Sequence, residues 1–317
     1  MRFIIAALAL VLAVSPAASQ NEQWPNTDFN KYSVDLKDIR SGGPGKDGIP
    51  AVNDPEFVAV PDEKRLGDRE PVMTLELEGE TPRAYPIRYL MWHEIVNDVI
   101  GDRPVSVTFC PLCNSGVIFD GQLDGRTLTF GVTGNLRHSD MVMYDHQTES
   151  WWQQFLGEAI VGELTGAELT KLPGWMESWA EFKARNPQGF VMDEPRFRRN
   201  YGVNPYAYYD SGHPFLYSGE EPPHGIPALE RVVVVGKRAW PLTRFQEIDE
   251  ITEAGVRITW TDGTASALDA AQIATARDVG SIRVRDSETG QDLPHDVAFA
   301  FAFHAFHPDG QWMLGHQ

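Results

Sequence analysis

Cys110 and Cys113 are the only cysteines in a sequence of 317 residues, and two residues separate them. They belong to the stretch Cys110-Pro111-Leu112-Cys113. Residues 105–109 and 115–119 on either side are apolar and rich in β-branched and aromatic side chains. Such segments favour strands, so we predict a strand, a tight turn and a second strand. If the protein has a chemical site, we expect it at this turn.

Metal binding is the first chemistry that fits the pair. Two thiolates that a turn brings to one point bind soft or borderline ions such as Cu(I) or Zn²⁺. Pro111 presets φ in such a turn, and the residue after the second cysteine needs positive φ. That residue is Asn114, a frequent non-glycine choice there. Further ligands would come from elsewhere, with His93 the first candidate. The others are His138, Met141, Met143 and His307.

Two other interpretations of the pair remain open. C-P-x-C also occurs in thioredoxin-like oxidoreductases, in which a helix N-terminus lowers the pKa of one thiol. Here residues 116–119 predict a strand, so that activation is missing. In a thiol-redox or hydrolytic enzyme, Asp140 and Tyr144 would be catalytic candidates beside Cys110 and Cys113. The third interpretation is an interaction module in which a disulfide only staples the hairpin. Whether the chain is an enzyme is left open.

Cofactors other than a copper or zinc ion are not expected. A haem attachment motif would need a histidine directly after the second cysteine, and Asn114 stands there. No nucleotide is expected either.

The elements around the turn are predicted from periodicity. Residues 72–79 and 83–87 alternate like a hairpin, and residues 87–99 show helical spacing that ends at Gly101. Residues 141–144 predict a strand. Residues 297–306 alternate phenylalanine with alanine, which also predicts a strand.

A weak internal duplication is visible in the second half. Residues 239–242 read Ala-Trp-Pro-Leu and parallel the Ala-Tyr-Pro-Ile of residues 84–87, each after an apolar strand and a glycine turn. Residues 256–268 predict a strand, a turn and a strand at the place of the cysteine hairpin. We therefore predict a β-rich α+β fold with a duplicated core in one large domain. The pseudo-repeats cover about 70–170 and 228–312.

The N-terminal residues and the net charge predict where the protein is located and which partners it has. Residues 1–19 are typical of a secretory signal peptide, with an apolar run too short to span a bilayer. We expect a periplasmic or secreted protein without membrane insertion after signal removal. Residues 20–61 predict an extended segment before a domain at 62–312. The net charge of −18 argues against nucleic acid as a partner. The partner that we expect is therefore a small molecule or a protein, whose identity the sequence does not give.

Several motifs resemble those of the bacterial domain of unknown function 3179 family, over about residues 60–312. The motifs are Tyr85-Pro86-Ile87, Trp92-His93-Glu94-Ile95-Val96-Asn97-Asp98, Cys110-Pro111-Leu112-Cys113, Ser139-Asp140-Met141-Val142-Met143-Tyr144-Asp145 and Ala305-Phe306-His307-Pro308-Asp309. The resemblance implies a single family-wide domain and no particular activity. Its recurrent positions here are His93, Cys110, Cys113, Asp140, Tyr144 and Asp145. Members commonly have Gly where Asn114 stands and Asn where His138 stands.

Overall fold

A computed structural model describes residues 22–245 and 247–315. The predicted signal peptide, residues 1–19, lies outside the described residues. The described residues form a β-rich fold of five sheets, arranged as a five-bladed β-propeller, with one additional small hairpin. None of the helices in this part of the chain is long and apolar enough to cross a membrane.

Two sheets carry the residues of interest. The first, called the cysteine blade, contains in spatial order Lys171–Leu172, Ser115–Asp120, Arg103–Cys110, Ile95–Ile100 and Val52–Asn53. The second, called the aspartate blade, contains in spatial order Ile39–Ser41, Phe130–Arg137, Asp140–Asp145, Trp151–Gln153 and Glu158–Val161.

The other three sheets complete the propeller. One contains Gly174–Ser178, Pro71–Leu75, Arg83–Pro86, Phe190–Met192 and Phe57–Ala59. The next, called the fourth blade, contains Asp296–Phe299, Arg231–Val235, Arg238–Pro241 and Gln311–Trp312. The last contains Glu250–Glu253, Val256–Thr261 and Ser281–Asp286, and the small hairpin pairs Gln122–Leu123 with Arg126–Thr127.

Helices are short. Within residues 24–245 and 247–315, the α-helices are Ile87–His93, Trp179–Arg185 and Ala300–Phe306. The 3₁₀ turns are Leu36–Asp38, Val60–Asp62, Tyr209–Ser211, Pro223–Gly225, Leu242–Phe245 and Ile273–Thr275. The helix at Trp179 begins with a capping box, in which Ser178 and Glu181 satisfy each other's backbone N–H groups.

Both hairpins predicted in the first half are confirmed. Pro71–Leu75 pairs antiparallel with Arg83–Pro86. Arg103–Cys110 pairs antiparallel with Ser115–Asp120, and Cys110 lies opposite Ser115 in the register. The cysteines therefore flank the turn of a hairpin, as the sequence predicts.

The predicted helix over residues 87–99 is correct only in its first half. The helix ends at His93, and Ile95–Ile100 is a strand paired with Arg103–Cys110. Glu94 makes the break, with φ of 59° and ψ of −32°. The segment after it is rich in β-branched residues, so pairing with the cysteine hairpin outweighs its helical spacing.

The predicted strand over residues 297–306 is also partly wrong. Asp296–Phe299 is a strand, but Ala300–Phe306 is a helix whose alanines and phenylalanines are nearly all buried. A fully buried helix has no polar face, so its sequence carries no helical period. Alternation of phenylalanine with the strong helix former alanine was therefore misleading.

The α+β class with a duplicated core is not confirmed. The second-half hairpin does form, because Arg231–Val235 pairs with Arg238–Pro241 and a helical turn follows. However, Val256–Thr261 pairs with Glu250–Glu253 and Ser281–Asp286. It does not form the predicted hairpin with residues 264–268, so no second copy of the cysteine hairpin exists there.

Candidate metal centre

The turn that carries the cysteines is stabilised by a hydrogen bond within the turn and by hydrogen bonds to the fourth blade. Asn114 has φ of 54°, which confirms the positive φ predicted there, and its backbone N–H donates to Pro111 O over 3.3 Å. Its side-chain Nδ2 donates to Val297 O over 2.6 Å. The N–H of Phe299 donates to Cys113 O over 2.8 Å. These bonds fix the direction of both cysteine side chains.

The two sulfurs and one carboxylate form a compact buried group. Both cysteines are free thiols with at most 1% exposure, and their Sγ atoms lie 3.3 Å apart. The Cys113 thiol donates to Asp140 Oδ1 over 3.0 Å. One ligand atom from each of the three residues lies within 4.8 Å of the others. In the described part of the chain this is the only such group of three histidine, cysteine or acidic side chains.

Asp140 is oriented by neighbours in its own blade. Its second oxygen, Oδ2, accepts from Gln153 Nε2 over 2.6 Å and from the N–H of Phe155 over 2.9 Å. Oδ1 is thereby left facing the thiols. Burial raises the pKa of Asp140, while these bonds and the thiol contact oppose the rise. The arrangement matches a metal ligand whose outer oxygen is held by supporting hydrogen bonds.

The thiols are protonated in the metal-free protein. Burial raises the pKa of Cys110 and raises that of Cys113 well above its usual value, and Asp140 adds to both shifts. Reactive cysteines need the opposite, a lowered pKa in a positive environment. A bound metal ion would instead favour the thiolate over the thiol, because coordination deprotonates a thiol outright.

His93 is not part of the group. Its Nδ1 donates to Pro50 O over 2.7 Å, and its Nε2 accepts from the Tyr201 hydroxyl over 2.6 Å. Its ring also contacts the Phe197 ring, with centroids 4.7 Å apart. With both ring nitrogens occupied, the side chain orders the chain around Pro50 and Tyr201. Asp140, which the sequence places only among the catalytic candidates, is the carboxylate beside the sulfurs.

Tyr144 also lies outside the group. Its hydroxyl donates to Asp47 Oδ2 over 2.7 Å, and its ring packs against Trp24. Asp145 accepts from Thr148 and from Trp152 Nε1, as expected of an aspartate before a turn.

The remaining ligand candidates pack in the core or against aromatic rings. Met141 and Met143 belong to the main apolar core. His138 packs on Phe306, and His307 lies against Phe155 and Phe303.

Sequence reasoning missed Glu94 as a site residue. It is only 7% exposed, and in the described part of the chain its carboxylate has no hydrogen-bond partner. Burial first, and then the charge of Asp140, raises its pKa to about 8. The prediction of a continuous helix through residue 99 hid the break that turns this side chain inward. The one available signal was its position in the Trp-His-Glu block.

A cavity of about 410 Å³ adjoins the group of Cys110, Cys113 and Asp140. Its wall includes Leu112 from the cysteine turn, Met141 beside Asp140, and Glu94. Aromatic side chains from residues 206–215 also line it. The site therefore combines three clustered donor atoms with a neighbouring space large enough for a small molecule.

Comparison with known proteins gives one match. The sequence model of the family described as "Protein of unknown function (DUF3179)" matches residues 46–310. No curated protein and no solved structure matches the chain.

Proposed function

We propose, for this chain that belongs to the DUF3179 family, that Cys110, Cys113 and Asp140 bind one metal ion. The observation that carries the proposal is the convergence of these three buried ligand atoms within 4.8 Å. An ion at about 2.3 Å from sulfur and about 2.0 Å from oxygen fits between donors this close. The 3.3 Å between the sulfurs is within reach of one such ion.

Zn²⁺ is the ion that this donor set favours. Two thiolates suit both Cu(I) and Zn²⁺, but a carboxylate is a hard ligand that suits Zn²⁺ better. Copper is therefore the second ion to test. Three protein ligands leave the fourth position of a tetrahedral ion to water or a small ligand, which is typical of catalytic rather than structural zinc.

Thiol–disulfide exchange is less well supported. The raised pKa values of Cys110 and Cys113 keep both thiols protonated, and the thiolate is the form that attacks a disulfide. Their burial, at most 1% exposed, also hinders access of a protein disulfide. A plain structural staple does not account for the buried carboxylate aimed at Cys113.

The test is a zinc titration of reduced, metal-free protein against a chromophoric chelator, with elemental analysis of the product. We expect one equivalent of zinc in the native protein and none retained by Cys110→Ser, Cys113→Ser or Asp140→Asn. Asp145→Asn is the matched control, because it changes the same residue type at the other end of the same buried strand. Circular dichroism establishes that each variant is folded, and Asp124→Asn at an exposed turn is a second control.

Retention of a full equivalent by Asp140→Asn would remove the aspartate from the proposal. Absence of both zinc and copper from the native protein would refute the metal site.

Export is proposed from the first nineteen residues alone. Arg2, the following apolar run and the small residues at 17–19 support cleavage by a signal peptidase. N-terminal sequencing of protein recovered from the periplasm or medium tests this. A mature chain that still begins at Met1 would contradict it.

A further inference from the structure

The carboxylate of Glu94 is buried at the wall of the cavity without a partner. Only 7% of the residue is exposed, and no hydrogen bond to its side chain exists in the described residues. Buried charges are normally paired, because removal from water penalises the ionised form. The empty cavity therefore favours the neutral acid of Glu94, and a bound cation would restore the ionised carboxylate by pairing with it.

No side chain of the cavity supplies that cation. Among the described residues, the wall contains no lysine, arginine or histidine, and Glu94 is its one charged group. The wall residues are Gly42, Pro44, Ile49, Glu94, Leu112, Val132, Gly134, Asn135, Leu136, Met141, Pro205, Tyr206, Ala207, Tyr208, Tyr209 and Phe215. Asp140 lies within electrostatic range of Glu94 and adds negative potential.

Aromatic rings form much of the remaining wall. Tyr206 lies within electrostatic range of Glu94, since Glu94 contributes, after burial, to the raised pKa of the tyrosine. Tyr209 is fixed in place, because its hydroxyl donates to Leu112 O over 3.0 Å and accepts from the N–H of Phe215 over 3.0 Å. Tyr208 and Phe215 add two further rings. Electron-rich ring faces attract cations, most strongly where water is excluded.

We propose that this cavity binds a small organic cation, an alkylammonium or quaternary ammonium group, with Glu94 as counter-ion and the tyrosine rings around it. An anion would be repelled by Glu94 and Asp140. A neutral ligand would offer the ionised form of Glu94 no opposite charge. The proposal does not depend on the metal, although Leu112 and Met141 place such a ligand directly beside the metal centre.

The competing role for Glu94 is that of a fourth metal ligand. Its carboxylate lies outside the group of ligand atoms within 4.8 Å of one another, so it would have to move. In that case Glu94→Gln would weaken zinc binding as Asp140→Asn does. In the cation proposal, Glu94→Gln leaves zinc binding unchanged.

The experiment measures binding of tetramethylammonium, choline and benzyltrimethylammonium by calorimetry, with metal-free and with zinc-loaded protein. The matched neutral probe is 3,3-dimethylbutan-1-ol, which has the shape of choline without its charge. We expect choline to bind at least about tenfold more tightly than the alcohol. Glu94→Gln, which keeps the side-chain size, should abolish that preference. Tyr206→Leu should weaken choline binding, and Tyr206→Phe should preserve it.

Three results would overturn the proposal. The first is that none of the ammonium probes binds at millimolar concentration. The second is a preference for choline over the alcohol that is absent from the native protein or does not depend on Glu94, as folded Glu94→Gln would show. The third is a loss of zinc affinity in Glu94→Gln, which would make Glu94 a metal ligand. The cation-binding test is also run without metal. Its result therefore stands even if the protein binds no zinc.

Discussion

The Cys113 thiol donates to Oδ1 of Asp140 over 3.0 Å, and the two residues belong to different blades. Cys113 lies in the hairpin turn of the cysteine blade, and Asp140 begins a strand of the aspartate blade 27 residues later. A metal ion bound between them would replace one thiol hydrogen bond by coordinate bonds to both blades. Metal binding and the stability of the propeller should therefore be linked.

The first prediction concerns that linkage. Zinc binds the assembled site and not the unfolded chain, so it should raise the free energy of unfolding. The gain is about 2.7 kcal/mol when free zinc exceeds the dissociation constant by about 100-fold. Guanidinium denaturation in zinc-buffered and zinc-free solution measures it. Cys113→Ser and Asp140→Asn should show no gain, whereas an equal gain in Asp140→Asn would place the zinc elsewhere.

The second prediction concerns the support of Asp140. Gln153 donates to Asp140 Oδ2 over 2.6 Å, whereas Oδ1 is the oxygen that accepts from the Cys113 thiol. Gln153→Ala should lower zinc affinity by about 10- to 100-fold, since outer hydrogen bonds orient a ligating carboxylate. Competition with a zinc chelator measures the change. Gln291→Ala, at an exposed position, is the control and should bind like the native protein. Unchanged affinity in Gln153→Ala would show that Asp140 needs no such support.

The third prediction concerns pH. Burial raises the pKa of Glu94 from its usual 4.5 to about 8, with Asp140 contributing. The folded state binds the Glu94 proton more tightly than the unfolded chain does. The stability that this protonation contributes is therefore complete below pH 4.5. This stability is lost as pH rises through 8, because the unfolded chain ionises first. The shift corresponds to on the order of 5 kcal/mol. Metal-free Glu94→Gln should therefore gain stability relative to the native protein between pH 5 and pH 9.

Denaturant unfolding of both proteins at several pH values measures this difference. Asp140, Cys110 and Tyr206 also interact electrostatically with Glu94, but they are present in both proteins, so their direct contribution largely cancels. A stability difference that stays constant with pH would mean that burial does not raise the pKa of Glu94.

The fourth prediction concerns the cysteine turn. Asn114 has φ of 54° and donates from Nδ2 to Val297 O. Asn114→Gly and Asn114→Ala both remove that bond, but only alanine keeps a Cβ in the left-handed region. The alanine variant should be less stable than the glycine variant by about 1 kcal/mol. Thermal or denaturant unfolding measures which of the two variants is more stable.

The control for this pair is Asn200, which is exposed and has no positive φ. There, glycine should be no more stable than alanine, because glycine has the greater freedom in the unfolded chain. The same order at both positions would mean that the turn is not responsible.

Local features of the site were predictable from the sequence. The hairpin, the position of both cysteines at its turn and the positive φ of Asn114 all depend on contacts within a few residues. That the two thiols are free was left open by the sequence. The family resemblance was likewise visible in short motifs, and the match over residues 46–310 bears it out. Periodicity failed where burial is complete, as in Ala300–Phe306, because a helix without a polar face leaves no periodic signal.

The carboxylate beside the sulfurs and the cavity were decided by the tertiary structure. Nothing in the spacing of Asp140 relates it to Cys113, since the two meet only when neighbouring blades pack. His93 looked like the better ligand from residue type alone, yet Pro50 and Tyr201 occupy its nitrogens.

Glu94 became a candidate only because the helix breaks at it and the following strand pairs with the cysteine hairpin. The sequence by itself therefore determined the turn that presents two sulfurs. Only the packing of blades, which brings residues distant in sequence into contact, decided which carboxylates surround it.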